Sequence, residues 1–226
     1  MYNVLIGGAA GDGIETMAGV FEKILKRKGF YLHSMRDFMS RVRGGHNFAQ
    51  IRFGAQPVYA HRDELDGLVV FNEESYHLHK HQLNPNGFVL YDKDIPVNHA
   101  NGVAVALKEL AKQSGNPKTI GTVCAGAMLK LFGLGIDQAE DVLRESLPKK
   151  ILEANLAALK LGYDAVEERF TLQPQPAGPT MLLTGADAMG LGALAGDIRF
   201  YSAYPMSPST TLLDFFTRSG ADFRIG

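Results

Sequence analysis

The chain has 226 residues, about one and a half times the ~150 typical of one domain, which leaves room for one complete domain and part of another. Its 46% hydrophobic and 21% charged residues are ordinary for a globular protein, and 23 basic against 24 acidic side chains leave no field that would attract nucleic acid. The single cysteine, Cys124, excludes an internal disulfide and an all-cysteine iron–sulfur cluster held by this chain alone, and with no long apolar run or leader-like start the expectation is a cytoplasmic protein that touches no membrane.

Asn3–Ile6 is a short apolar run, and Gly7–Gly13 (Gly-Gly-Ala-Ala-Gly-Asp-Gly) holds so much glycine that it predicts a turn. Ile14, Met17, Ala18, Phe21, Ile24 and Leu25 recur at helical spacing, and Lys26, Arg27 and Lys28 before Gly29 suit a helix C-terminus. Phe30–Leu32 opens a second strand with Asp37 past its end, so the opening predicts a parallel pair joined by a right-handed crossover. Asn47–Phe53 alternates between two faces as a strand does, Gly54–Pro57 turns the chain, and Val58–Ala60 is expected to pair back as a hairpin.

Leu68–Phe71 and Phe88–Tyr91 are unbroken apolar runs, as in strands covered on both faces, with a short helix at Glu73–Gln82 between them. From Val103 to about Glu168 everything reads as helix, broken at Gly115-Asn116-Pro117, Gly133-Leu134-Gly135 and Pro148, with Asp137 as a helix cap. Gln173–Pro179 is proline-rich and lacks any hydrophobic period, which marks a linker. After it come a strand at Met181–Thr184, a helix at Ala186–Ala195, a strand at Arg199–Ser202, a helix at Ser209–Arg218 and a strand-like run at Phe223–Ile225. These elements are too few to bury both faces of a parallel sheet, so a truncated second domain is expected. Its apolar face (Leu182, Leu183, Phe200, Leu212, Leu213, Phe215, Phe216) is then a candidate for dimerisation or disorder.

Three constellations could carry chemistry. In Gly7–Gly13, Gly8, Gly11 and Gly13 free backbone N–H groups for an anion beside a helix N-terminus; read as a dinucleotide fingerprint, however, the third glycine place holds Thr16 and Asp12 would oppose a pyrophosphate. Arg41, Arg43, Gly44, Gly45 and His46 form a compact cationic loop, suited to bidentate binding of phosphate or carboxylate. Tyr204-Pro205-Met206-Ser207-Pro208-Ser209-Thr210 follows a strand, where α/β sheets place ligands. Its prolines stiffen the loop, and Ser207, Ser209 and Thr210 offer hydroxyls to a small carboxylate. His77, His79 and His81 read as a polar helix surface rather than a metal site, and Cys124 reads as core.

The opening glycines, then R-V-R-G-G-H-N at Arg41–Asn47 with Gln50 and Arg52 on the next strand, resemble the gamma domain of 2-oxoacid:ferredoxin (acceptor) oxidoreductases over approximately residues 1–170. Gly185–Gly196 and R-F-Y-S-A-Y-P-M-S-P-S-T at Arg199–Thr210 resemble the start of the family's alpha, or pyrimidine-binding, domain. Gamma followed by alpha is similar to the fused alpha subunit of 2-oxoglutarate-type enzymes. The expected fold is α/β, a three-layer α/β/α sandwich with a mixed, mainly parallel sheet (1–170), then a linker (171–179) and an incomplete alpha segment (180–226).

The resemblance implies oxidative decarboxylation of a 2-oxoacid with coenzyme A, thiamine diphosphate and ferredoxin. The Tyr204–Thr210 loop would contact the 2-oxoacid, and Arg41–His46 would lie near the cofactor or coenzyme A. Thiamine diphosphate with its Mg and the iron–sulfur clusters would be held mainly by other subunits, the beta subunit above all, and the isolated chain is expected to be inactive. Two other readings stay open: a stand-alone dinucleotide-binding protein using Gly7–Gly13, and a non-catalytic assembly domain.

Overall fold

The computed structural model describes residues 1–39, 44–173, 175–176, 178, 180–219 and 224–225. Arg41 and Arg43, with part of the 171–179 segment, lie outside the described residues. The chain divides into two compact units, Met1–Gly178 and Pro179–Gly226.

In the first unit β1 (Tyr2–Ala10), β2 (Tyr31–Phe38), β3 (Gly44–Gly54), β4 (Leu65–Val70), β5 (Leu83–Asp92) and β6 (Gly102–Val105) form one sheet in the order β2-β3-β1-β4-β5-β6. β4, β5 and β6 continue parallel from β1, whereas β3 runs antiparallel to both its neighbours. The mixed, mainly parallel α/β architecture expected from the sequence is therefore present. Strand side chains alternate between two cores, as a period of two requires. Val4, Ile6, Val69, Phe88 and Leu90 face the larger one, while Leu5, Leu68, Val70 and Val89 face the smaller.

Helices α1 (Ile14–Arg27), α3 (Leu107–Gln113), α4 (Ile120–Leu131), α5 (Asp137–Ser146) and α6 (Lys149–Asp164) supply the larger core. The opposite face is thin, covered by α2 (Glu73–His79), a 3-10 turn at Lys80–Gln82, and Ile95 and Val97 of the segment after β5. Phe170 joins Tyr2, Phe88 and Phe132 in an aromatic cluster, and Gln175 N donates to Lys28 O at 2.9 Å, so the chain after α6 is laid onto this unit. On the β2 edge, Arg36 grips Glu22 of α1 with two nitrogens, at 2.6 and 3.0 Å, which ties the edge strand to the helix layer.

Several expectations are corrected. Gly7–Ala10 is strand, not turn. Gly7 pairs with Phe48 and Gly8 with Asn47, and a Cβ on Gly7 would approach Ser75 and His46 to 3.0–3.2 Å. Glycine there serves close packing rather than chain reversal. β1 and β2 run the same way but do not pair, because β3 lies between them. β2 extends through Asp37, and Val58–Ala60 forms no strand; Arg52 Nη1 of β3 donates to Ala60 O at 3.0 Å. Val103–Val105, read as the start of the helical stretch, belongs to the edge strand Gly102–Val105. Asp137 is the first residue of α5 and makes no side-chain cap.

In the second unit α7 (Gly185–Ala195) opens with a capping box in which Thr184 and Asp187 exchange hydrogen bonds, a reciprocal satisfaction of free N–H groups. Met181–Leu183, expected as strand, is irregular. β7 (Phe200–Tyr201) pairs parallel with β8 (Arg224–Ile225), and α8 (Ser209–Ser219) packs Phe215 over Gly190 of α7. Leu182, Leu183 and Phe200 are exposed as expected, but Phe216 is only 4% exposed and packs against Tyr201 and Phe215.

Candidate functional site

β1 ends at Ala10, and the chain reverses through Gly11 (φ +97°), Asp12 and Gly13 (φ +95°) before α1 begins. Asp12 closes this turn on itself: its carboxylate accepts from Ala9 N at 2.7 Å and its N–H donates to Ala9 O at 3.1 Å. That geometry commits one Asp12 oxygen to the backbone of the turn, and its negative charge stays beside the Gly11 and Gly13 N–H groups. Gly13 caps α1 without any side-chain hydrogen bond, and Glu15 of the first turn also lines the cavity described next.

The β1–β3 register sets Gly44 opposite Ala10 and His46 opposite Ala9, with a bulge between. The β2–β3 hairpin adds Phe38 opposite Asn47. A cavity of about 270 Å³ opens between these pieces, lined by Gly11, Gly13 and Thr16 on one side and by Phe38, Asn47 and Phe48 on the other. Of the residues expected from sequence, Gly11 and Gly13 line it and Gly44 and Gly45 begin the adjacent strand, whereas Gly8 does not. A Cβ on Gly8 would meet Asp12 and Phe71 at 3.0 Å, so its glycine answers to packing. Asp37 sits on β2, with β3 between it and β1, so Gly11, Gly13 and an acidic residue on the next strand do not form a dinucleotide site.

His46 turns away from the cavity. Its ring is 8% exposed, with Nδ1 3.2 Å from Ser75 Oγ and Nε2 2.7 Å from His79 Nε2. Burial holds the His46 imidazole below the ordinary histidine range, His79 adds to this, and Glu74 and Asp37 pull the other way. His79 is lowered too: its burial outweighs the hydrogen bond to Gln82, and His81 adds to the lowering. The unfolded chain therefore takes up protons first as pH falls, and stability present above the ordinary value of about 6.5 is lost below it. Urea unfolding should show a lower midpoint near pH 5.5 than near pH 7.5, with a slope of at most ~1.4 kcal/mol per pH unit for each proton. His46→Gln should flatten that slope; an unchanged slope would remove these rings from the account.

Gln50, on the same face of β3, donates to Asn3 Oδ1 at 3.1 Å and to Arg62 O at 2.6 Å and so pins the loop before β4; like Arg52, it braces the fold. In the second unit the Tyr204–Thr210 loop joins β7 to α8. Ser209 Oγ donates to Tyr204 O and Met206 O at 2.7 and 2.6 Å, a closed loop whose hydroxyl is already engaged. Tyr204 is 80% exposed, and Pro205, Ser207 and Pro208 are exposed as well.

Residues 3–165 match the model of the pyruvate ferredoxin/flavodoxin oxidoreductase family. The chain belongs to this family. It is 23% identical to a 2-oxoacid:ferredoxin oxidoreductase subunit alpha of a Sulfolobus species, over 91% of this chain and 40% of that one. Its fold is similar to that of the 2-oxoglutarate:ferredoxin oxidoreductase of Magnetococcus marinus, solved with 2-oxoglutarate, coenzyme A and succinyl-CoA bound (TM-score 0.85, 23% identity, 100% of this chain and 43% of that one). A keto/oxoacid ferredoxin oxidoreductase gamma subunit of Geobacter sulfurreducens matches 73% of this chain and 98% of its own length (TM-score 0.63, 20% identity). The chain spans about two fifths of the length of the alpha-subunit relatives it matches.

Cys124 is fully buried and burial pushes its thiol well up, and no group of three metal-ligating side chains occurs among the described residues. His77 is exposed and bonded to Glu73, as the polar-surface reading expects. Two features lay beyond sequence reading. Phe38 and Asn47 come to the cavity through strand register alone, and Ser75, His79 and Gln82 reach His46 from another element.

Proposed function

We propose that this chain is a component of a 2-oxoacid:acceptor oxidoreductase, in which a 2-oxoacid and coenzyme A yield acyl-CoA and CO2 while two electrons pass to ferredoxin. The observation that carries the reading is the cavity between the Gly11–Gly13 turn and the start of β3. Two glycines with positive φ and an uncapped helix N-terminus there present N–H donors, and Phe38 and Phe48 present apolar walls. That mixture suits the phosphates and the apolar arm of coenzyme A. Arg41 and Arg43, carried on the β2–β3 connection, add the charge that such a ligand calls for.

Tyr204, Pro205, Ser207, Pro208, Ser209 and Thr210 form the 2-oxoacid contact, with Ser207 and Thr210 offering hydroxyls and Ser209 as the loop's brace. Thiamine diphosphate, its Mg and the iron–sulfur clusters belong to a beta subunit and its neighbours, a reading supported by the lack of any group of three metal-ligating side chains among the described residues; no step of the chemistry is assigned to this chain's residues through those groups. The complex works in the cytoplasm. No helix of the described residues is long and apolar enough to cross a membrane.

Calorimetry should find coenzyme A binding to the chain in the micromolar range, with nicotinamide and flavin dinucleotides much weaker. The chain alone should not couple a 2-oxoacid to viologen reduction, and adding the beta subunit should start turnover. Absent coenzyme A binding, or turnover by the chain alone, would overturn the reading.

A further inference from the structure

On the thin face of the sheet, five side chains from β3, α2 and the turns flanking α2 form one hydrogen-bonded line that the reaction above does not use. Ser75 N and Ser75 Oγ both donate to Asn72 Oδ1, at 2.9 and 2.7 Å. His46 Nδ1 lies 3.2 Å from that Oγ, His46 Nε2 lies 2.7 Å from His79 Nε2, and His79 Nδ1 lies 2.6 Å from Gln82 Oε1. Phe48 packs against both rings, with centroids 5.8 and 5.2 Å away.

Proton accounting along this line is restrictive. The Ser75 hydroxyl proton is committed to Asn72, so Ser75 Oγ can only accept, and His46 Nδ1 must carry a proton. Two imidazole nitrogens 2.7 Å apart hold one proton between them and have no room for two. While His46 is neutral, His79 Nε2 supplies that proton. His79 Nδ1 is then either bare, accepting from the Gln82 NH2, or protonated, donating to Gln82 Oε1. Rotation of the Gln82 amide satisfies both states. A second added proton would set N–H against N–H, and nothing in the line relieves that.

We propose that His46, His79 and Gln82 form a single-proton switch, in which the imidazole pair binds one added proton and never two, and the Gln82 amide turns to register it. Asp37 from β2 and Glu74 from α2 draw the proton in, while burial of both rings and His81 of the 3-10 turn oppose it. His46 pairs with Ala9, two residues before Gly11, so the added charge enters the strand pair that ends at the cavity. In this respect the inference rests on the coenzyme A reading: a polyanion bound there stabilises the charged pair, and ligand uptake draws a proton with it.

The switch itself is tested without ligand, by nitrogen-resolved NMR titration of the histidines in the full chain. His46 and His79 should share one step of one proton, with a common midpoint below those of the exposed histidines, and His46 Nδ1 should stay protonated throughout. His79→Gln, whose amide can turn either to donate to His46 or to accept from it, should leave a step on His46 alone, shared with no second ring. Gln82→Met should lower the common midpoint by roughly one pH unit, because it removes the acceptor for the charged form. Two independent one-proton steps, or a bare His46 Nδ1, would overturn the switch. The link to ligand is read from coenzyme A calorimetry in buffers of different ionisation enthalpy. Wild type should take up protons on binding and the double variant His46→Gln, His79→Gln should lose most of that uptake, whereas equal uptake by both would overturn the link. If neither binds coenzyme A, the functional reading fails and the NMR step still decides the switch.

Discussion

Gly162→Ala is expected to destabilise the first unit by about 3 kcal/mol or more, at the upper end of overpacking costs. Helices α4 and α6 meet backbone to backbone. A Cβ on Gly162 would overlap the carbonyl oxygen of Val123, and one on Gly126 would overlap that of Leu159. Rotamer changes relieve side-chain crowding, but here the obstacle is main chain, so the helices must separate. Separation would loosen the packing of Val123, Cys124, Ala127, Ala158 and Leu159, all fully buried, and stretch the 2.6 Å bond from Thr122 Oγ1 to Asn155 Oδ1. Gly19→Ala is the matched control. It lies inside α1 with no atom within 4 Å of the added carbon, and should stabilise by up to ~1 kcal/mol through helix propensity. Urea midpoints for the two variants should therefore move in opposite directions; a Gly162→Ala loss below about 1 kcal/mol would refute the backbone contact.

Gly13→Ala should damage stability and ligand binding together. Gly13 has φ +95°, which costs an alanine about 1–2 kcal/mol, and its added carbon would stand 2.9 Å from the backbone of Gly121 at the start of α4. Moving Gly13 displaces the first turn of α1, whose Ile14, Glu15 and Thr16 line the cavity, so under the proposed reading coenzyme A affinity should fall by roughly tenfold or more. Gly11→Ala separates strain from crowding. Its φ is +97° but nothing lies within 4 Å, so it should cost about 1 kcal/mol and leave the turn in place. Equal affinities for wild type and Gly13→Ala in calorimetry would take the turn out of the site.

Local chemistry made part of this fold readable. The helical spacing of Ile14–Leu25 and the basic run before Gly29 place α1, which spans Ile14–Arg27. Leu68–Phe71 and Phe88–Tyr91 mark strands that the structure buries on both faces. Partnership between strands was not readable. Alternation at Asn47–Phe53 marks β3 but carries no information about its insertion between β1 and β2. Val103 and Val105 continue into a helical pattern at Leu107–Gln113, so a four-residue edge strand merged with the helix that follows it. Gly7 and Gly8 mislead for a related reason. Glycine serves turns and close approach alike, and only the positions of Ser75, His46 and Phe71 tell the two apart.

At the site, Gly11 and Gly13 were visible because positive φ favours glycine. The His46–His79 contact was not, since 33 residues separate the rings and His79 read as one more polar residue on a helix.

The insertion of β3 also bears on how the molecule comes together. β2 and β3 form a local hairpin, while β1 and α1 form a separate strand–helix pair, and the cavity is the seam where these two pieces dock. Neither piece holds the cavity alone, so it exists only where the two are packed together. A ligand lodged in the seam would act as a rivet between them, slowing their parting and lengthening the lifetime of the folded chain even where its equilibrium contribution is modest.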